Sequence, residues 1–165
     1  MEVVAQYLRQ EALSRASPER DTFGRSAFNR YYYATFLTVK RGISALRPEW
    51  AGNIPHADIP NMLRGAIKES LGKGRKRALR AGDFELENLC ARAISAAEDL
   101  AKVMEQGKAT RVAADYHPDI LVDFSGEQPF YLNKVSVHVA KDWPFRARAF
   151  LDTISQAWMQ VDERR

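Results

Sequence analysis

The stretch Phe84–Gln106, FELENLCARAISAAEDLAKVMEQ, decides the class of fold. Leu86, Leu89/Cys90, Ala93/Ile94, Ala97, Leu100 and Val103/Met104 recur every three or four residues. At 3.6 residues per turn this lays one apolar stripe along an amphipathic α-helix. Cys90 lies on the stripe and reads as a small hydrophobe rather than a nucleophile. The pattern predicts that helix continues past Gly107 through residues 108–116, and Pro118 marks a stop.

Working toward the N-terminus, the segment GKGRKRALRAG (residues 72–82) reads as a glycine-punctuated basic connection. Before it, Ile59, Met62, Leu63, Ala66, Ile67 and Leu71 predict a helix over about 57–71. EWAGNIPHADIP is expected to be an irregular connection. A long helix is predicted over about 22–46, with Phe28, Tyr32, Thr35, Phe36, Val39 and Ile43 in one stripe. Arg30, Tyr33 and Leu37 form a second stripe on roughly the opposite side. A helix apolar or aromatic on two sides is central or faces a partner subunit. Arg30, read as partly buried there, needs polar partners. Residues 2–15 predict a short amphipathic helix carrying Val3, Val4, Tyr7, Leu8 and Leu13.

Toward the C-terminus, HPDILVDFSGEQPFYL predicts a loop with at most a short strand-like run. Helical pattern returns over about 133–159, interrupted or kinked at Pro144, and packs through Phe150, Leu151, Ile154 and Trp158. The expected architecture is all-α: an up-and-down bundle of four main helices plus a short first one, in a single domain over residues 1–165.

Composition narrows the setting. Of 165 residues, 45% are hydrophobic and 28% charged, the balance of a soluble globular chain. No uncharged apolar run is long enough to span a membrane, and the N-terminus lacks the pattern of a signal peptide. The single cysteine permits no internal disulfide, so a cytoplasmic location is expected. The net charge of +4 is unevenly distributed. Residues 1–80 hold 15 Lys and Arg against 7 Asp and Glu, whereas residues 81–165 hold 10 against 14. The excess is densest over Arg64–Arg80. There Lys73, Arg75, Lys76, Arg77 and Arg80 are either a phosphate-contacting RNA patch or a solvated helix end.

The three histidines and one cysteine do not have zinc-ligand spacing, so no metal is expected. No phosphate loop, dinucleotide fingerprint or serine-hydrolase signature occurs, and no cofactor is expected. What remains is RVAADYHPDI, residues 111–120. His117 can move a proton near neutral pH, and Arg111 can hold a phosphate as charge develops. That pairing suits RNA cleavage with the 2′-hydroxyl as nucleophile. The alternative is a surface ion pair between Arg111 and Asp115, four residues apart, with His117 in a loop.

Two stretches in order, Arg30-Tyr31-Tyr32-Tyr33-Ala34-Thr35-Phe36 and Arg111-Val112-Ala113-Ala114-Asp115-Tyr116, resemble the HEPN domains of prokaryotic proteins. The first is similar to that family's Ser-Arg-x-Tyr-Tyr-Ala-x-Phe helix, with Asn29 at the serine. The second is similar to its Arg-x-x-Ala-Asp-Tyr, and His56 falls before the middle helix, as in many relatives. Leu37 departs from the pattern, and so does His117 directly following Tyr116. The resemblance implies a helical bundle that pairs as a homodimer. It also implies a metal-independent endoribonuclease of a toxin–antitoxin or phage-defence system, with Arg111 and His117 catalytic. Arg30, Asp115 and Tyr116 would then be supporting or phosphate-binding. The implied partners are RNA, and a nucleotidyltransferase antitoxin or a larger defence protein. Other members of the family lack nuclease activity, so the resemblance equally allows a non-catalytic module that binds a partner protein or a nucleotide.

Overall fold

The structure, a computed structural model, describes residues 1–50, 52, 54–126 and 129–162. Ala51 and Asn53 of the expected irregular connection, and Glu127 and Gln128 of the expected loop, lie outside the described residues.

The fold is all-α. Helix α1 is Glu2–Ser14 and α2 is Glu19–Leu46. After a single 3₁₀ turn at Pro48–Trp50 come α3 (Ile59–Met62), a π turn (Leu63–Ile67) and α4 (Lys68–Ala81). These last three follow one another with right-handed helical backbone at each junction. Helix α5 is Phe84–Tyr116 and α6 is Val137–Asp162. Between them a two-stranded antiparallel hairpin, β1 (Tyr131–Leu132) and β2 (Val135–Ser136), turns at Asn133 and Lys134. Both turn residues have positive φ, 47° and 64°, the backbone of a tight hairpin turn. That turn moves the start of α6 to Val137 rather than the expected 133. The helix then runs on through Pro144.

The chain forms two compact units. One comprises Met1–Leu37 and Glu105–Phe145, the other Thr38–Met104 and Arg146–Arg165. In the first unit the largest fully buried side chains are Trp143, Tyr31, Tyr32, Phe28 and Phe130. Phe28 meets Phe130 edge-on at 5.8 Å. The consecutive tyrosines of α2 pack for a reason visible on α5. A Cβ at Gly107 would lie 2.9 Å from the Tyr32 ring, so glycine allows Tyr32 to close onto the helix backbone. Beside it, Trp143 donates its indole N–H to Gln106 Oε1 at 3.2 Å.

In the second unit, Ile43, Ile59, Leu63, Ile67, Leu71 and Leu100 are fully buried. The α5 stripe is inside as expected except for Ile94, which is half-buried, and Cys90 is completely buried. Burial pushes its thiol above the ordinary cysteine range.

Two expectations are corrected. The basic segment 72–82 is not a connection: it is helical to Ala81 and ends at Gly82, whose φ of 71° closes the helix. Gly74 does not break α4, because it is used for packing; a Cβ there would lie 2.3 Å from Val161 Cγ2. Tertiary contact overrides the weak helix propensity of glycine. Helix α1 also turns the other way. It buries Ala5 and Ala12 and half-buries Leu8, while Val3, Val4, Tyr7 and Leu13 are exposed.

Candidate functional site

The end of α5 is held from α2 by an arginine that sequence reasoning did not single out. Arg25 pairs with Asp21 one turn earlier, Nε to Oδ2 at 2.7 Å, and only 13% of its side chain is exposed. Its terminal nitrogens donate to the carbonyls of Ala113 (3.1 Å), Ala114 (3.2 Å), His117 (3.2 Å) and Pro118 (3.3 Å), and to that of Ile120. The last carbonyls of a helix have no partner within it, and a guanidinium carries five N–H donors in a rigid fork. Arg25 therefore caps α5 and fixes the following turn. Asp21 completes the clamp: its Oδ1 accepts the Val122 backbone N–H at 2.7 Å. The sequence signal was only an Asp and an Arg four residues apart, a pattern that surface helices share.

Arg111 stands in the last part of α5. Its Nε lies 2.7 Å from Asp115 Oδ2, an ion pair without hydrogen-bond alignment at that nitrogen. One terminal nitrogen reaches the Tyr116 hydroxyl at 3.5 Å. The guanidinium carbon is 5.2 Å from the Tyr116 ring centre and 6.0 Å from that of Tyr33. Asp115 is also held by Asn29, which donates from Nδ2 to Oδ1 at 2.5 Å. Burial works against the charge on Arg111, but Asp115 and then Tyr33 and Tyr116 more than offset it. The guanidinium stays charged and oriented, and its other terminal nitrogen has no protein partner among the described residues.

His117 follows the helix end and is exposed. Its backbone is fixed on both sides, donating its N–H to Ala113 at 3.3 Å and giving its carbonyl to Arg25. The structure thus brings Arg111, Asp115, Tyr116, Asn29 and Tyr33 into one polar cluster. His117 sits directly after that cluster, on a clamped turn.

Arg30 is not part of the cluster. It is exposed on α2 rather than partly buried as expected, because the helix turns Ala27, Phe28, Tyr31 and Tyr32 inward instead. The buried tyrosine phenols respond to that packing. Burial pushes Tyr32 up to about 12, with Arg111 pulling it back.

The basic residues stand on α4, in the second unit. Lys73 pairs with Glu69 at 2.7 Å and Arg75 with Glu87 at 2.5 Å. Arg77 donates to the Val161 carbonyl at 3.2 Å. Lys76 and Arg80 are exposed. Among the described residues, no group of three or more His, Cys, Asp or Glu side chains could hold a metal ion. No described helix is long and apolar enough to cross a membrane. No family model, curated protein or solved structure matches the chain.

Proposed function

We propose that the protein is a HEPN-like, metal-independent endoribonuclease of a toxin–antitoxin or phage-defence system, working at the Arg111–His117 end of α5. The observation that carries this reading is a charged arginine, oriented by Asp115 with one nitrogen unpartnered, followed by an exposed histidine on a clamped turn. In the reaction, the ribose 2′-hydroxyl attacks the adjacent phosphorus and the bond to the 5′-oxygen breaks, leaving a 2′,3′-cyclic phosphate. His117 transfers a proton, taking that of the hydroxyl or delivering one to the departing oxygen, and water supplies the complementary transfer. The free edge of Arg111 faces the charge that builds on the phosphate oxygens. Asp115 and Tyr116 serve as supporting contacts, and a nucleotidyltransferase or larger defence protein is the partner that controls the activity.

The test is cleavage of single-stranded RNA in EDTA, with DNA of the same sequence as the control that lacks the nucleophile. His117→Ala and Arg111→Ala should each slow cleavage by about two orders of magnitude or more. Full activity in His117→Ala refutes the assignment. A second reading rests on the same arginine: Asp115, Tyr116 and Tyr33 already surround it, which suits a non-catalytic module that binds a nucleotide or partner protein. A parent protein inert on every RNA tested favours that module.

A further inference from the structure

Helix α4 carries a cationic face that the fold uses only in part, through Arg77 on the Val161 carbonyl and Lys73 on Glu69. A shallow groove of about 340 Å³ on its surface is lined by Ser70, Lys73, Lys76, Arg77 and Arg80. At 100° per residue these five fall within an arc of roughly 120°. Leu71, Gly74 and Ala78, which are buried, occupy a different side. Arg75 also lies off this arc and is drawn toward Glu87. The segment that reads as one basic run is therefore divided by the helix into a cationic face and one arginine outside it.

The cationic face has an electrostatic cost. Lys73 and Arg77, and Lys76 and Arg80, are like charges one turn apart, an unfavourable spacing on a helix. Elsewhere in the same unit, cations are given carboxylates: Arg64 and Lys68 share Glu98, at 2.9 and 3.7 Å. On this face only Lys73 has one, and both members of that pair are about 70% exposed, at 71% and 67%, where an ion pair contributes little. Lys76 and Arg80 have no carboxylate partner among the described residues. The helix dipole favours cations only in the last turn, and of these residues that turn holds Arg80.

We infer that this face of α4 binds the phosphodiester backbone of a nucleic acid, with Lys73, Lys76, Arg77 and Arg80 as phosphate contacts and Arg75 outside the site. From Lys73 to Arg80 the stripe rises about 10 Å, a length suited to successive charges rather than one isolated anion. The groove contains no aromatic or aliphatic anchor of the kind that dominates protein–protein binding. The apolar side of α4 is already spent on Val161, which leaves no broad apolar face to enter a lipid surface. The inference rests on the RNA reading above only for the choice of RNA as the probe.

The test uses the full chain and a labelled 2′-O-methyl RNA of about 20 nucleotides, read by fluorescence anisotropy across a salt series. That probe lacks the 2′-hydroxyl nucleophile, so it reports binding whether or not the parent cleaves RNA. Each lost phosphate contact should reduce the salt slope by about 0.7 on a single strand. Lys76→Gln/Arg80→Gln should therefore flatten the slope by about 1.4 and weaken binding roughly 25-fold near 0.1 M salt. Arg75→Gln should bind within about twofold of the parent. Both variants change exposed side chains, and matching thermal melts check that they fold. Binding by the double variant within twofold of the parent, or an equal loss in Arg75→Gln, overturns the inference. So does displacement of the RNA by polyglutamate at equal charge concentration, which marks an acidic-protein surface. Binding of phosphatidylserine vesicles that the double variant loses, while its RNA binding persists, overturns it in favour of a membrane surface.

Discussion

Replacing Arg25 by alanine removes the clamp on the end of α5, and the structure sets the size of the effect. Six groups lose a partner: the Asp21 carboxylate and the carbonyls of Ala113, Ala114, His117, Pro118 and Ile120. The contacts to His117 and Pro118 are exposed, so water replaces them at small cost. Those to Ala113, Ala114 and Ile120 are part-buried. The Ala113 carbonyl keeps the His117 N–H, so only the bonds to Ala114 and Ile120 leave an acceptor unpaired, each worth about 1 kcal/mol when lost. Asp21 keeps the Val122 N–H and is itself 25% exposed, so its contribution is minor. Arg25→Ala should therefore destabilise by about 2 kcal/mol. For a chain of this size that lowers Tm by about 4–8 °C. Urea unfolding followed by circular dichroism measures it. Arg25→Lys, a point donor without the fork, should recover only part of the loss. Arg30→Ala is the matched control on the same helix; its exposed side chain predicts a change within about 0.5 kcal/mol. An Arg25→Ala variant as stable as the Arg30→Ala control would refute the clamp.

The glycines of α4 should separate by environment. Gly74→Ala drives a Cβ against Val161 and should cost about 1–3 kcal/mol, whereas Gly72→Ala enters open space and should stabilise by about 0.4–1 kcal/mol; chemical denaturation compares them. Tyr32, held up to about 12 by burial, contributes stability that is full below pH 10, its ordinary value, and lost as pH rises through 12. Tyr32→Phe should flatten stability over that alkaline window and remove the last tyrosinate step at 295 nm, and an unchanged ultraviolet titration would contradict the burial. The exposed Val3, Val4, Tyr7 and Leu13 of α1 suit isologous pairing, so light scattering at tens of micromolar should give the mass of a homodimer, and a monomer mass would count against it.

The number and class of the helices were legible in residue order, because a buried stripe must repeat with the helical period. Leu86 to Met104 and Phe28 to Ile43 show that repeat, and both stripes are buried apart from Ile94. Which side of a weakly patterned helix turns inward was not legible. In α1 the small Ala5 and Ala12 are buried and the larger Val3 and Tyr7 are exposed, because close approach selects small side chains and a sequence does not say where approach is close. The same reason governs Gly74 and Gly107, whose missing side chains matter only beside Val161 and Tyr32. Around the candidate site, local order supplied the pair of Arg111 and Asp115, four residues apart on one helix. The clamp from Arg25 and the bond from Asn29 join residues 86 or more positions apart. Hydrogen bonding of that kind leaves no periodic trace in a sequence, and only the tertiary fold decides which arginine serves the helix end and which, like Arg30, faces water.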